Sequence, residues 1–309
     1  MKYIYFGSST FSRIVLEELC RQGTIPSLVI SQPDKPKGRG LKFKPMEVAA
    51  FAKEKQIPLA KPVSLNDKEI YKMIQDENPD FIIVADYGKI LPESMLSLAK
   101  ILPLAIHPSL LPRYRGPAPV NWALINGETQ TGTTIFRMND KLDSGEIILQ
   151  EMLAIEENDD VLTLSRNLSF QGAKMLIRVF AMIAHESYAL IPQDVKSVSF
   201  APKLTKDDGE IKWNLQAFRI RNLVRGTVSW PSAYTYYKKK LLKILAADVI
   251  LKVAINPPGT ITKIDKEGIL VSTGEDILKL RKLKPQDKKE MDAYSFALGH
   301  RVRVGDRFD

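Results

Sequence analysis

The chain has 309 residues, 44% hydrophobic and 26% charged, the balance of an ordinary soluble globular protein of about two domains. No apolar run approaches the ~18 residues a membrane helix needs. Cys20 is the only cysteine, which excludes an internal disulfide and fits a reducing compartment. The net charge of +9 is segregated: residues 1–202 carry 23 basic and 23 acidic side chains, whereas residues 203–309 carry 22 and 13. A basic module joined to a neutral one points to a polyanion as partner of the former; the alternative is solubility charge on an ordinary surface.

Residues 2–6 are apolar and strand-like, and the chain opens directly on them with no cleavable signal pattern, so a cytoplasmic location is expected. Gly7-Ser8-Ser9-Thr10 follows, then a helical pattern through Leu16, Leu19 and Cys20, with Ser9 or Thr10 as its cap. Residues 27–30 read as a second buried strand and 32–44 as a long polar loop. Helices are expected from 45 or 46 to 55 and over 68–76, and strands over 81–84 and 104–106. Continuous apolar strands alternating with helices predict a parallel sheet covered on both faces, an α/β architecture. In such sheets ligands sit beyond the carboxyl ends of the strands.

Strand patterns cover 133–138 and 146–155, with a turn at 141–145. A long amphipathic helix is expected over 161–185, with Asp159 or Asp160 near its start. Residues 191–202 are irregular and read as a linker between a domain at 1–190 and another at 203–309. In the latter, short strands at 233–237, 243–248, 259–264, 268–273 and 278–283, separated by Gly and Pro turns, predict a small β-barrel.

The chemistry centres on residues 105–116, Ala-Ile-His-Pro-Ser-Leu-Leu-Pro-Arg-Tyr-Arg-Gly. His107 ends an apolar strand, and two prolines stiffen the loop after it. An imidazole, with an ordinary pKa of about 6.5, exchanges protons at neutral pH; a lone His can equally pack or cap. Asp143, in Leu142-Asp143-Ser144-Gly145, is either a turn residue or a carboxylate that orients His107 or takes a proton from an attacking amine. Lys35, Lys37, Arg39, Lys42 and Lys44 put five cations in ten residues around Phe43, suited to phosphates and an unpaired base, or simply to a solvated surface. His185 and His300 stand alone with no Cys/His cluster, so no catalytic metal is expected. Ser109 is not in a Gly-x-Ser-x-Gly elbow.

These residues resemble a known family. His107-Pro108-Ser109-Leu110-Leu111-Pro112 followed by Arg113-Tyr114-Arg115-Gly116, with the later Leu142-Asp143-Ser144-Gly145, is similar to the signature of the formyltransferases that use 10-formyltetrahydrofolate. Gln32-Pro33-Asp34 with Gly38-Arg39-Gly40 resembles an insertion of the methionyl-tRNA formyltransferases within that family, as does Asp208-Gly209-Glu210-Ile211-Lys212-Trp213 at the head of the basic third. The resemblance spans the whole chain.

It implies a Rossmann-like N-terminal domain that binds the folate, and a smaller, oligonucleotide/oligosaccharide-binding-type barrel that holds tRNA. It makes His107 and Asp143 catalytic, has Ser109, Leu110, Leu111 and Pro112 contact the co-substrate with Val84, Tyr87 and Gly88 lining a pterin pocket, and takes Lys35, Lys37, Arg39 and Lys42 to the acceptor end. The implied partners are folate and initiator methionyl-tRNA, with no metal and no membrane, in a monomer. Two positions depart from the family pattern. Ala105 stands where the family has Asn, removing a donor whose loss typically costs ~10²–10³ in rate, and Asp86 stands where an apolar residue is usual. An amino-sugar N-formyltransferase is the alternative enzyme, and a tRNA-binding relative with impaired catalysis the alternative that Ala105 raises.

Overall fold

The computed structural model describes residues 1–37 and 42–309. Contacts divide the chain into two units: Met1–Pro119 with Gln130–Ala154 and Ser165–Pro202, and Val120–Thr129 with Ile155–Leu164 and Lys203–Asp309.

In chain order the first part runs β1 (Tyr3–Gly7), α1 (Thr10–Arg21), β2 (Leu28–Ile30), β3 (Lys35–Lys37), β4 (Lys42–Lys44), α2 (Glu47–Glu54), β5 (Leu59–Ala60), α3 (Lys68–Glu77), β6 (Phe81–Ala85), α4 (Glu93–Leu96), β7 (Leu102–His107), α5 (Pro119–Ile125), β8 (Gln130–Arg137), β9 (Ile147–Ala154) and α6 (Val161–Ala184). The seven-stranded sheet has the order β5-β2-β1-β6-β7-β8-β9. Its first five strands are parallel, as the continuous apolar runs require, and β8 and β9 add to β7 antiparallel. The sheet is therefore mixed where the alternation alone predicts a parallel one. Both faces are buried: Ile4, Phe6, Ile82 and Val84 pack with Ile70, Ile74 and Met95 on one side. On the other, Tyr3 and Phe81 lie against Phe180 of α6, with ring centroids 5.7 and 4.9 Å away. Ser9 caps α1, its hydroxyl accepting from the Ser12 amide.

The polar stretch 32–44 is not a plain loop. β3 and β4 form an antiparallel hairpin that sets Lys35 opposite Lys44, Pro36 opposite Phe43 and Lys37 opposite Lys42. Arg39 lies outside the described residues.

The second unit is built on α7 (Ala217–Thr227), β10 (Ala233–Tyr237), β11 (Lys240–Ile250), β12 (Ile261–Asp265), β13 (Gly268–Ser272), β14 (Ile277–Pro285), β15 (Met291–Asp292) and α8 (Ala293–His300). Its antiparallel sheet runs β10-β11-β14-β13-β12, with β15 beside β14. The barrel read from the strand spacing is thus, by its pairing, a six-stranded sheet around a core of Ile244, Ile261, Val271, Leu278 and Leu280. Trp213 stacks on Phe308, centroids 5.5 Å apart, and donates its indole N–H to the Thr235 hydroxyl at 2.9 Å.

Candidate active site

β7 carries His107 at its carboxyl end, between β6, which ends beside it, and β8, where Thr134 is its register partner. The ring is buried. Nε2 donates to the Tyr114 carbonyl at 2.9 Å, and Nδ1 lies 3.7 Å from Asp143 Oδ2. The carbonyl accepts only, so Nε2 must carry a hydrogen, and the tautomer is set by the backbone seven residues on. At 3.7 Å the second gap is too long for a hydrogen bond. A reacting group placed there can touch both Nδ1 and the carboxylate.

The loop after His107 is bonded shut from beneath. Thr134 Oγ1 donates to the Ser109 carbonyl at 2.6 Å and accepts from the Leu111 amide and the Gln150 amide at 3.2 and 2.8 Å. Gln150 also donates to the Leu111 carbonyl at 2.9 Å. The Ser109 hydroxyl donates to the Arg113 carbonyl at 2.7 Å, and Ser199 Oγ accepts from the Tyr114 amide at 2.9 Å. Ser109 and Leu111 are therefore buried members of the loop's own packing, while Leu110 and Pro112 are half-buried.

Asp143 sits in a turn at φ +47°. Its Oδ2 accepts from the Gly116 amide at 2.7 Å, which joins the turn to the far end of the His107 loop. Two glycines permit this closeness. Gly116 has φ +119°, and a Cβ there would stand 2.7 Å from the Ala201 carbonyl oxygen; a Cβ on Gly145 would fall 1.7 Å from that of Arg137. Between these, Gln193 accepts twice from the Arg115 guanidinium and donates to the Asp143 and Gly145 carbonyls.

Beyond β6, at the same end of the sheet, Val84 and Tyr87 are buried and Gly88 is exposed. The Tyr87 carbonyl accepts from the Gln32 side chain and from Ser8 Oγ, the latter at 3.4 Å, and its ring meets Phe6 edge-on at 5.3 Å. The Tyr87 hydroxyl is buried with no hydrogen-bond partner among the described residues, and burial pushes its pKa up to about 12. Ser31 Oγ, one residue past β2, is buried and unpartnered in the same way.

The structure thus brings His107, Ser109–Pro112 and Asp143 together and places Val84, Tyr87 and Gly88 on the strand end beside them. Lys35, Lys37 and Lys42 lie on the separate β3–β4 hairpin. Residue spacing gave no hint of Thr134, Gln150, Gln193 or Ser199, whose bonds cross 16 to 85 positions of sequence. Among the described residues, no group of three or more His, Cys, Asp or Glu is arranged to hold a metal, and no helix is long and apolar enough to cross a membrane.

An α/β domain with a His–carboxylate pair at the carboxyl end of a central strand, followed by a basic β domain, defines the class. The chain belongs to the formyl transferase family: the family model for formyl transferase matches residues 1–180, and that for the formyl transferase C-terminal domain matches residues 203–301. The methionyl-tRNA formyltransferase of Thermodesulfovibrio yellowstonii is 40% identical over 302 residues, covering 98% of this chain and 97% of the relative. That of Caldanaerobacter subterraneus subsp. tengcongensis is 38% identical over 308 residues, covering 99% of each. Among solved structures, HypX from Aquifex aeolicus in complex with tetrahydrofolic acid shares the fold at a TM-score of 0.67 and 14% identity; the match covers 98% of this chain and 48% of that one, about half its length.

Proposed function

We propose that the chain transfers a formyl group from 10-formyltetrahydrofolate to the free amino group of methionyl-initiator tRNA, giving N-formylmethionyl-tRNA for translation initiation. The observation that carries this reading is the pairing of His107 Nδ1 with Asp143 Oδ2 across 3.7 Å at a strand end, in a chain whose full-length relatives bear that activity in their names.

The unpartnered Tyr87 hydroxyl, the exposed Gly88 beside it and the half-buried Leu110 and Pro112 fit a flat heteroaromatic ligand with polar edges. Val84, Tyr87, Gly88 and Ser109–Pro112 would hold the folate, which supplies a one-carbon unit at the formyl level. Attack by an amine on a formyl carbon drives negative charge onto the formyl oxygen and leaves a proton on the nitrogen. His107, when it carries a proton on Nδ1, donates to that oxygen. Asp143 accepts the amine proton and stays aimed by the Gly116 amide; collapse of the tetrahedral adduct then breaks the bond between the formyl carbon and the donor nitrogen, which takes up a proton, and tetrahydrofolate leaves.

The basic third supplies grip. Residues 203–309 hold the chain's whole +9 excess, and the β3–β4 register sets lysine against lysine at two positions. A nucleotide-sugar does not need so extended a cationic surface, so the amino-sugar reading is not favoured. The test offers the purified chain formyl donor with charged initiator tRNA, or with an amino-sugar nucleotide. Formylation of the charged tRNA alone is expected; formylation of the sugar alone would overturn the reading.

A further inference from the structure

The segment between the two family matches carries more than a connection. Ile191 exchanges a pair of backbone hydrogen bonds with Ile147, the first residue of β9, at 2.8 and 2.9 Å. Further along, Ser199 accepts from the Arg115 amide at 2.9 Å and Ala201 donates to the Arg115 carbonyl at 2.7 Å. Between these anchors sits Gln193, half-buried, with every valence of its carboxamide used. Oε1 accepts from Arg115 Nε and Nη2 at 3.1 and 2.7 Å, and Nε2 donates to the carbonyls of Asp143 and Gly145 at 3.0 and 2.8 Å. The reverse orientation of the amide would set its NH₂ against a guanidinium and its oxygen against two carbonyls, so the four bonds decide the orientation.

The turn so held is one that its sequence does not favour. Asp143 is a non-glycine residue at φ +47°, a conformation that persists only where its surroundings impose it. Gln193 grips the carbonyls on both sides of Ser144, and through Arg115 it also grips the loop that supplies the Gly116 amide to Asp143 and the Tyr114 carbonyl to His107. One side chain therefore ties together the supports of both members of the pair. We infer that Gln193 is a positioning residue for formyl transfer, fixing the distance between Asp143 and His107. The inference rests on the reading that this pair performs the transfer.

The experiment compares Gln193→Glu and Gln193→Leu, each alone and combined with Asp143→Asn, by steady-state formyl transfer and thermal melting. Gln193→Glu keeps the acceptor for Arg115 and replaces both donations by repulsion between a carboxylate and two carbonyls, so it probes the turn even where Gln193→Leu fails to fold. The expected result is a fall in kcat of about 10–100-fold, the cost of a misplacement near 1 Å. KM for both substrates should stay within about twofold, and the melting temperature of Gln193→Glu should stay close to that of the parent. Added to Asp143→Asn, the Gln193 changes should cost little more, because the two act through one carboxylate. Lowered melting with kcat retained, or the same fold-loss repeated in the Asp143→Asn background, would overturn the inference. Undiminished turnover by Asp143→Asn alone would instead overturn the reading beneath it, a separate and distinguishable result.

Discussion

The imidazole of His107 is placed by groups of two kinds, and only one of them has a side-chain signature. Its position at the end of an apolar strand is readable because His and Pro each have distinct physical habits; its pairing with Asp143, 36 residues away, is not, because an Asp before Ser-Gly reads equally as a turn residue and only the family resemblance selects the carboxylate. The bond that selects the tautomer comes from the Tyr114 carbonyl, and a backbone acceptor leaves no trace in residue type. Gln193, Thr134 and Gln150 are hidden for the same reason: most of their bonds run to main-chain atoms that any residue would present. Ala105 sharpens the matter. It lies two residues before His107 on the same face of β7, 8% exposed, between register partners Val84 and Phe136. The resemblance noted in the sequence puts a carboxamide at this position. Ala105→Asn is expected to raise kcat by about tenfold or more, restoring a donor near the developing oxyanion. Kinetics on the two proteins side by side check this, and equal rates would show that another group already fills the role.

Among the elements, four of the five strands that pair in parallel are legible because burial on both faces demands unbroken apolar runs, as in Phe81-Ile82-Ile83-Val84; β5, only two residues long, is not. The β3–β4 hairpin is not, because its strands are three residues each and mostly lysine, with no alternation to reveal them. Helix α7 escapes for a related reason: its buried stripe of Ala217, Ile220 and Val224 is diluted by three arginines and lacks a capping side chain. Helix α1 offers a test of how one element is held. Glu18 is buried and takes bonds from Arg21 at 2.8 and 2.6 Å and from Gln22 at 3.1 Å. Chiefly through the Arg21 bonds its pKa is lowered to about 2, against an unfolded value of about 4.3. A depressed folded-state pKa means stability that is fully present above the unfolded value and lost as pH falls through the folded one. Glu18→Gln should therefore melt below the parent at pH 7, with the gap closing between about pH 4 and 2. Melting curves at pH 7 and pH 3 decide it, and a gap independent of pH would refute the ion-pair account.

Over the whole molecule, the division of charge is legible in the sequence, since a count of Lys, Arg, Asp and Glu needs no fold. The pairing order of the C-terminal sheet was not, because strand spacing alone does not say which edges join. If the basic unit grips phosphates, affinity for tRNA should fall steeply with salt, by about 10³-fold or more between 50 and 200 mM for six or more phosphate contacts. Filter binding across that range measures the slope, and a flat response would remove the nucleic-acid role. The most direct measurement is formyl transfer from 10-formyltetrahydrofolate to charged initiator tRNA by the parent chain and by His107→Ala. The account predicts formylated product from the parent and a loss of ~10²–10⁴-fold in kcat for His107→Ala, with tRNA affinity unchanged. Equal turnover by the two proteins, or a parallel loss of tRNA binding, would contradict it.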